Sequence, residues 1–278
     1  MINYTANYFD IRVLKISDIK LHETTEFFRL RNIFDRIEKS RYLMNPVIVG
    51  KQNSHYLLID GANRLSSLMR LGCKLIVAQV IRYSNSKIRL TNWDHLIYNI
   101  TPAEIKNFCH NTGIKYEKIA YSKGLRTLRH NLNYILAADT SDNENLLIKL
   151  SPRFSELVEQ LNSFTKNYIN IYPFDRSEGE ISISEIRAYS RKKGVLIKFP
   201  HFKKRHIVRI SKEAGKIPSG ITRHILVNRV LHVRYDLKNL YDEKDIELKT
   251  KELERYLLNK IDNNKVRQYK ESVIVFDE

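Results

Sequence analysis

The sequence predicts an α+β protein, mixed α/β in its element order, folded as two units packed around a cleft. Three observations predict it. Short apolar runs at 46–49, 56–59 and 75–81 are bounded by turn residues, which is the pattern of buried strands. Near them lie runs with apolar residues three and four apart, the period of a helix packed on one face. Finally, 42% of the 278 residues are hydrophobic, with no internal repeat and no low-complexity linker, enough for two cores of ordinary size. The expected units are residues 1–100 and 101–278.

The elements follow in order. Val13, Leu14, Ile16, Ile19 and Leu21 predict a strand over 13–21. Phe27, Leu30, Ile33, Phe34 and Ile37 predict an amphipathic helix, with Thr24 and Thr25 as candidate N-caps. After the strands at 46–49 and 56–59, a helix over 62–71 buries Leu65 and Leu68 and ends at Gly72, and the strand at 75–81 follows. Thr101 as N-cap, with Pro102 at the first helical position, opens another helix. Beyond it the pattern predicts strands over 131–139, 145–150, 168–172, 194–199, 224–235 and 273–276. It predicts helices over 152–166, 182–191, 207–214 and 240–261.

The stretch from Tyr56 to Leu65 carries the clearest chemistry. It reads as a strand, an Asp60-Gly61 turn and a helix with Arg64 in its first turn. A helix start offers unpaired N–H groups and the positive end of the macrodipole. Gly61 lets a ligand approach the backbone, and the Arg64 guanidinium suits phosphate oxygens. The Asp60 carboxylate beside them can hold a metal ion or a proton. A plain strand–turn–helix with a solvated arginine is the competing reading, because the motif is short.

Composition narrows the classes. Forty-eight Lys and Arg against 31 acids give a net charge of +17, which attracts nucleotides, nucleic acid or acidic membrane surfaces. A composition rich in Lys, Asn and Ile gives the same number without any ligand. Two cysteines, Cys73 and Cys109, exclude a CxxC pair and a disulfide framework. Nine histidines with no HExxH or Cys/His spacing argue against a dedicated zinc site. The first ten residues lack an apolar signal-like core, and no apolar run approaches the ~18 residues of a membrane span, so a cytoplasmic protein is expected.

Five segments occur together: His22-Glu23-Thr24, Asp60-Gly61-Ala62-Asn63-Arg64, Leu71-Gly72-Cys73-Lys74, Thr91-Asn92-Trp93-Asp94-His95 and Pro218-Ser219-Gly220-Ile221-Thr222-Arg223. In this the chain resembles the free L-serine kinases of the ParB/sulfiredoxin-like fold. The resemblance is close over about 10–100, loose over 130–200, and returns over about 200–278. Ala62 stands where sulfiredoxin chemistry requires its thiol, and no clear helix-turn-helix of the ParB partition proteins is visible. Where the family carries His before the motif Arg, this chain has Asn63, which can donate a hydrogen bond but carries no charge.

The resemblance implies a kinase that converts free L-serine to O-phospho-L-serine with ATP or ADP and Mg²⁺. The product would feed amino-acid or siderophore-type biosynthesis, for example through 2,3-diaminopropionate. It implies a nucleotide-binding first unit and a substrate-binding second unit. Glu23 becomes the general base, and Asp60 a catalytic or Mg²⁺-binding carboxylate. Gly61, Ala62, Asn63 and Arg64 would hold the phosphates. Thr222, Arg223 and His224 would recognise the amino acid, joined by Trp93 and His95, which share a face if that segment is extended. The rival is a ParB-like nucleotide- and DNA-binding regulator without turnover. Weak, salt-sensitive DNA binding at most is expected, with no membrane partner. ATP and ADP stay open as donors; serine, threonine and homoserine stay open as acceptors; the oligomeric state is open.

Overall fold

Strand alternation sends neighbouring residues of one strand into two different cores, and this is how the halves of the molecule are joined. The computed structural model describes residues 9–141, 144–178, 183–189, 193–213, 215–226 and 228–267. The expected strand at 273–276 lies outside the described residues, as do parts of the expected helix 182–191.

The first half runs β1 (Ile11–Lys15), β2 (Ile19–Lys20), α1 (Phe27–Ser40), β3 (Tyr42–Leu43), β4 (Val47–Lys51), β5 (Tyr56–Asp60), α2 (Ala62–Arg70) and β6 (Leu75–Ile81). One sheet has the order β1-β6-β4-β5-β2. The expected strand 13–21 is therefore two strands. β1 pairs antiparallel with β6 and β2 parallel with β5, at opposite edges, so the 3₁₀ turn Ile16–Asp18 must carry the chain between them. Helix α1 forms as expected and buries Leu30 and Ile37, but Phe27 stays 57% exposed at its first turn. Its N-cap position is Glu26, not Thr24 or Thr25, and it carries no side-chain cap. The Thr24 hydroxyl instead accepts from the Ser219 N–H at 3.1 Å.

The second half begins with β7 (Arg89–Tyr98), then α3 (Pro102–Thr112), β8 (Lys115–Lys118), α4 (Tyr121–His130), β9 (Tyr134–Asp139), β10 (Asn145–Lys149), α5 (Phe154–Lys166), β11 (Phe174–Glu178), α6 (Ile183–Tyr189), β12 (Gly194–Lys198), α7 (Lys204–Lys212) and β13 (Thr222–Ile225). The second sheet has the order β11-β7-β12-β9-β10-β8, with β13 also paired to β7. β7, read from the sequence as part of the first unit, thus sits inside the second sheet. It runs opposite β13 over Arg89–Asn92 and opposite β11 over Trp93–Ile97. Thr101 and Glu104 close a capping box on α3, as the Thr101-Pro102 pair predicts for that start. The expected strand 168–172 is a run of turns with Asn170 at φ 69°, because Tyr168 buries its ring while its hydroxyl bonds inward.

The chain then returns to the first sheet. β14 (Tyr235–Asp236) pairs with β3, and α8 (Ile246–Asp262) packs on β1. The expected long strand 224–235 is β13 only as far as Ile225; over the described residues 228–234 the chain is irregular, with His232 and Arg234 at positive φ. Its apolar alternation is real but serves a different partner: Val233 and Tyr235 bury into the core that holds Val47, Val49, Leu58, Leu65 and Leu68. Ile48, Leu57 and Ile59 point the other way, into the core of the second half with Ile97, Ile197 and Ile221. Sheet strands covered on both faces read as continuous apolar runs, as those of β4, β5 and β6 do.

Candidate active site

The candidate site forms where the loop after β2, the turn from β5 into α2, and the entry to β13 meet. The loop is laced to the 217–220 turn by backbone bonds. Ile217 N–H donates to the His22 carbonyl at 3.0 Å, and Thr24 N–H donates to the Ile217 carbonyl at 2.9 Å. Below the loop, Glu26 accepts from the Ser219 hydroxyl at 3.1 Å and forms an ion pair with Arg176 of β11. Glu23 is held between these ties, close enough to Asp60, Glu26 and Arg176 to feel their charges. It keeps a partly exposed side chain with protein packed closely around it. Burial pushes its carboxyl up to about 8, against the opposing pull of the Gly220 N–H, while the charge of Asp60 raises it further.

The turn from β5 into α2 forms as expected, with the geometry of an anion cradle. Gly61 is the N-cap at φ 103°, and no side chain caps the helix. A Cβ there would lie 2.7 Å from Val47 and 2.9 Å from Arg64, so only glycine fits. The buried Arg64 Nε and Asn63 Oδ1 atoms have no hydrogen-bond partner. A helix start with unpaired donors and a buried unsatisfied guanidinium nitrogen is suited to an anion. Asp60 meets two cations through one oxygen: Arg64 Nη2 lies at 2.6 Å and Arg229 Nη1 at 2.8 Å, both on Oδ2. Burial alone would raise the Asp60 carboxyl, but the two guanidiniums hold it below the usual carboxylate range. Arg229 carries no motif signal; 169 residues separate it from Asp60.

The expected amino-acid-binding residues separate into two layers. Strand alternation puts Arg223 on one face of β13 and Thr222 and His224 on the other. Arg223 stacks its guanidinium 4.5 Å from the Trp93 ring centre, and both side chains are partly exposed. His95 is fully buried beneath them. Its Nε2 donates to the Gly220 carbonyl at 2.9 Å, and its Nδ1 accepts from the Tyr168 hydroxyl at 2.7 Å. Trp93 and His95 do share a face of β7, but only Trp93 reaches the surface. His22 donates from Nδ1 to the Leu58 carbonyl at 2.9 Å and accepts from Thr222 at 3.3 Å. His224 accepts from the Tyr83 hydroxyl at 2.9 Å. Both ring nitrogens of His95 and His22 are thus used in holding the site together rather than lining it.

These buried histidines give the fold an acid limit. Burial lowers His22 to about 4, and His95 and His224 to about 3. Unfolded histidines bind protons near ~6.5. Between those values the unfolded state holds more protons, so stability is complete above ~6.5 and drains as pH falls toward 4. Denaturant midpoints should therefore fall steeply from pH 7 to 4.5, and His95→Gln should flatten that slope. A midpoint independent of pH over this range would mean that the rings titrate as they do in the unfolded chain.

Among the described residues no cluster of three or more His, Cys, Asp or Glu side chains is placed to hold a metal ion. Mg²⁺ commonly takes one or two carboxylates and completes its shell with phosphate oxygens and water, so Asp60 beside the cradle fits that donor set. No described helix is long and apolar enough to cross a membrane.

No family model matches the chain. It is 21% identical over 287 residues to the ATP-dependent L-serine kinase SbnI of Staphylococcus aureus, covering 96% of this chain and 97% of that protein. The solved structure of that protein with a C-terminal truncation superposes with a TM-score of 0.69 at 21% identity, covering 90% of this chain and 97% of the other. A free serine kinase in complex with ADP superposes with a TM-score of 0.71 at 14% identity, covering 83% and 94%. The α+β class and the resemblance to free serine kinases are both borne out, and the fold is the one these structures share.

Proposed function

We propose that the chain is a phosphotransferase that moves a phosphoryl group from ATP or ADP to the hydroxyl of free L-serine. One observation carries the reading: an unsatisfied anion cradle at the start of α2 lies close to a partly exposed carboxyl that burial raises to about 8. Phosphoryl transfer needs anchored phosphates and a base at the acceptor hydroxyl, and little else from the protein. The similarity to an L-serine kinase over nearly the whole chain supports the choice of acceptor.

In this reading the amides of Ala62, Asn63 and Arg64 and the Arg64 guanidinium bind the phosphates. Glu23 takes the proton of the acceptor hydroxyl, and Arg223, braced by Trp93, grips the amino-acid carboxylate. Mg²⁺ held by Asp60 would neutralise charge on the phosphate oxygens. Tyr168 holds His95, which fixes the Gly220 carbonyl, and the N–H of the same residue bonds Glu23. The product, O-phospho-L-serine, would enter amino-acid or siderophore-type biosynthesis.

Phosphorus NMR with ATP or ADP, Mg²⁺ and a panel of serine, threonine and homoserine tests the reading. A phosphomonoester signal should grow with serine present. Nucleotide binding with no amino-acid-dependent product would instead favour a regulator of the ParB-like type. Arg64→Ala should weaken nucleotide binding about 10- to 100-fold, the worth of one charged hydrogen bond. Calorimetric titration checks this, and an unchanged affinity would reduce the motif to a structural turn.

A further inference from the structure

The irregular chain after β13 brings Arg229 to Asp60, and a buried side chain fixes how it arrives. Gln79 of β6 is 5% exposed. Its amide nitrogen donates to the Asn228 carbonyl at 2.9 Å, and its amide oxygen accepts from the Val230 N–H at 3.1 Å. One glutamine thus grips the backbone on both sides of Arg229. The partners it meets lie 149 and 151 residues further along the chain.

An ordinary surface ion pair does not explain this arrangement. Arg229 is 39% exposed, and exposed pairs contribute only about 0–1 kcal/mol. Asp60 already has Arg64 at 2.6 Å on the same oxygen. Two guanidiniums on one carboxylate leave an excess positive charge at the mouth of α2, where the helix dipole adds to it. Arg223 is close enough to feel the charge of Arg229. Like charges gathered this way are costly until an anion arrives. A multiply charged anion both satisfies the cradle and relieves the crowding.

We propose that Arg229, presented by the Gln79 clamp, is a second phosphate-binding arginine that grips the terminal phosphates of a nucleoside di- or triphosphate. The inference rests on the nucleotide-binding reading of the α2 cradle. In the free protein Asp60 holds both arginines in place, so neither side chain must be ordered when the nucleotide enters.

The test is calorimetric titration of the full-length chain with ADP, ATP and AMP, with no amino acid present. Arg229→Ala should weaken ADP and ATP about tenfold and AMP much less, because AMP lacks the outer phosphates. Arg229→Lys should recover only part of the loss, since the fork is gone. Gln79→Leu keeps Arg229 but frees its backbone, and should weaken ADP several-fold in a protein whose circular dichroism is unchanged. Wild-type binding of ADP with equal binding by Arg229→Ala overturns the inference and leaves the cradle intact. No binding of any nucleotide by the wild-type chain overturns the functional reading together with it.

Discussion

Replacing Glu23 with Gln should lower serine-dependent turnover by ~10²–10⁴-fold while nucleotide affinity barely changes. The substitution keeps shape and removes basicity. The environment of Glu23 adds a second readout. Its carboxyl sits at about 8 in the folded protein, whereas an unfolded glutamate titrates near ~4.3. As the base it must be ionised, so wild-type turnover should rise with pH through about 8. For stability the sign runs the other way. Between the two values the folded state holds the extra proton, so the stabilising effect is complete below ~4.3 and is lost as pH rises through the folded value. Glu23→Gln should therefore melt higher than wild type at pH 9 and show little difference at pH 5. A folded variant with near-normal turnover would remove Glu23 from the reaction, and a lower melting temperature at pH 9 would mean the carboxylate is stabilised in place.

Arg223→Ala should raise KM for serine by roughly 10²-fold, with the affinity for ADP and any affinity for DNA almost unchanged. A bidentate carboxylate contact is worth about 1.5–3 kcal/mol, and here the guanidinium is already braced on Trp93 at 4.5 Å. Arg223→Lys keeps the charge but loses both fork and stacking, so most of the loss should remain. The side chain is partly exposed, so the melting temperature should move little. Steady-state kinetics with serine as the varied substrate decide it. An unchanged KM would place the carboxylate elsewhere, and an equal rise in KM for nucleotide would mean that Arg223 serves the phosphates.

Much of the cradle is legible in the sequence because it is local. Asp60 through Arg64 are neighbours, and the apolar run before them and the helical period after them fix the turn. Gly61 signals its own geometry. Thr101 and Pro102 mark a helix start for the same reason. What the sequence hides is set by distant partners. Arg229 lies in a stretch whose apolar alternation mimics a strand, but Val233 and Tyr235 follow the demand of another sheet's core. Tyr168 sits in a run of residues that favour strands, yet its hydroxyl is drawn to His95, and the chain turns around it. β8 and α4 are missed because Lys115–Lys118 is exposed along its length and Gly124 interrupts the helical pattern of α4. Thr222, Arg223 and His224 are consecutive, and only the direction of β13 decides which of them can face a substrate.

The return of the chain to its first sheet has a consequence for how the protein is made. Leu240 accepts backbone hydrogen bonds from Lys74 and Leu75, and Leu253 of α8 fills the core begun by Val13 and Leu65. During synthesis, β6 is made about 170 residues before Leu253 is added, an interval of roughly 9 to 35 seconds at ~5–20 residues per second. For that interval the first sheet exists as a sequence without its lid. Its apolar underside must stay unpaired, be shielded by a chaperone, or await a chain end that has yet to be translated. The turn from β5 into α2 belongs to the earliest segments made, yet the core beneath it is completed by residues translated near the end.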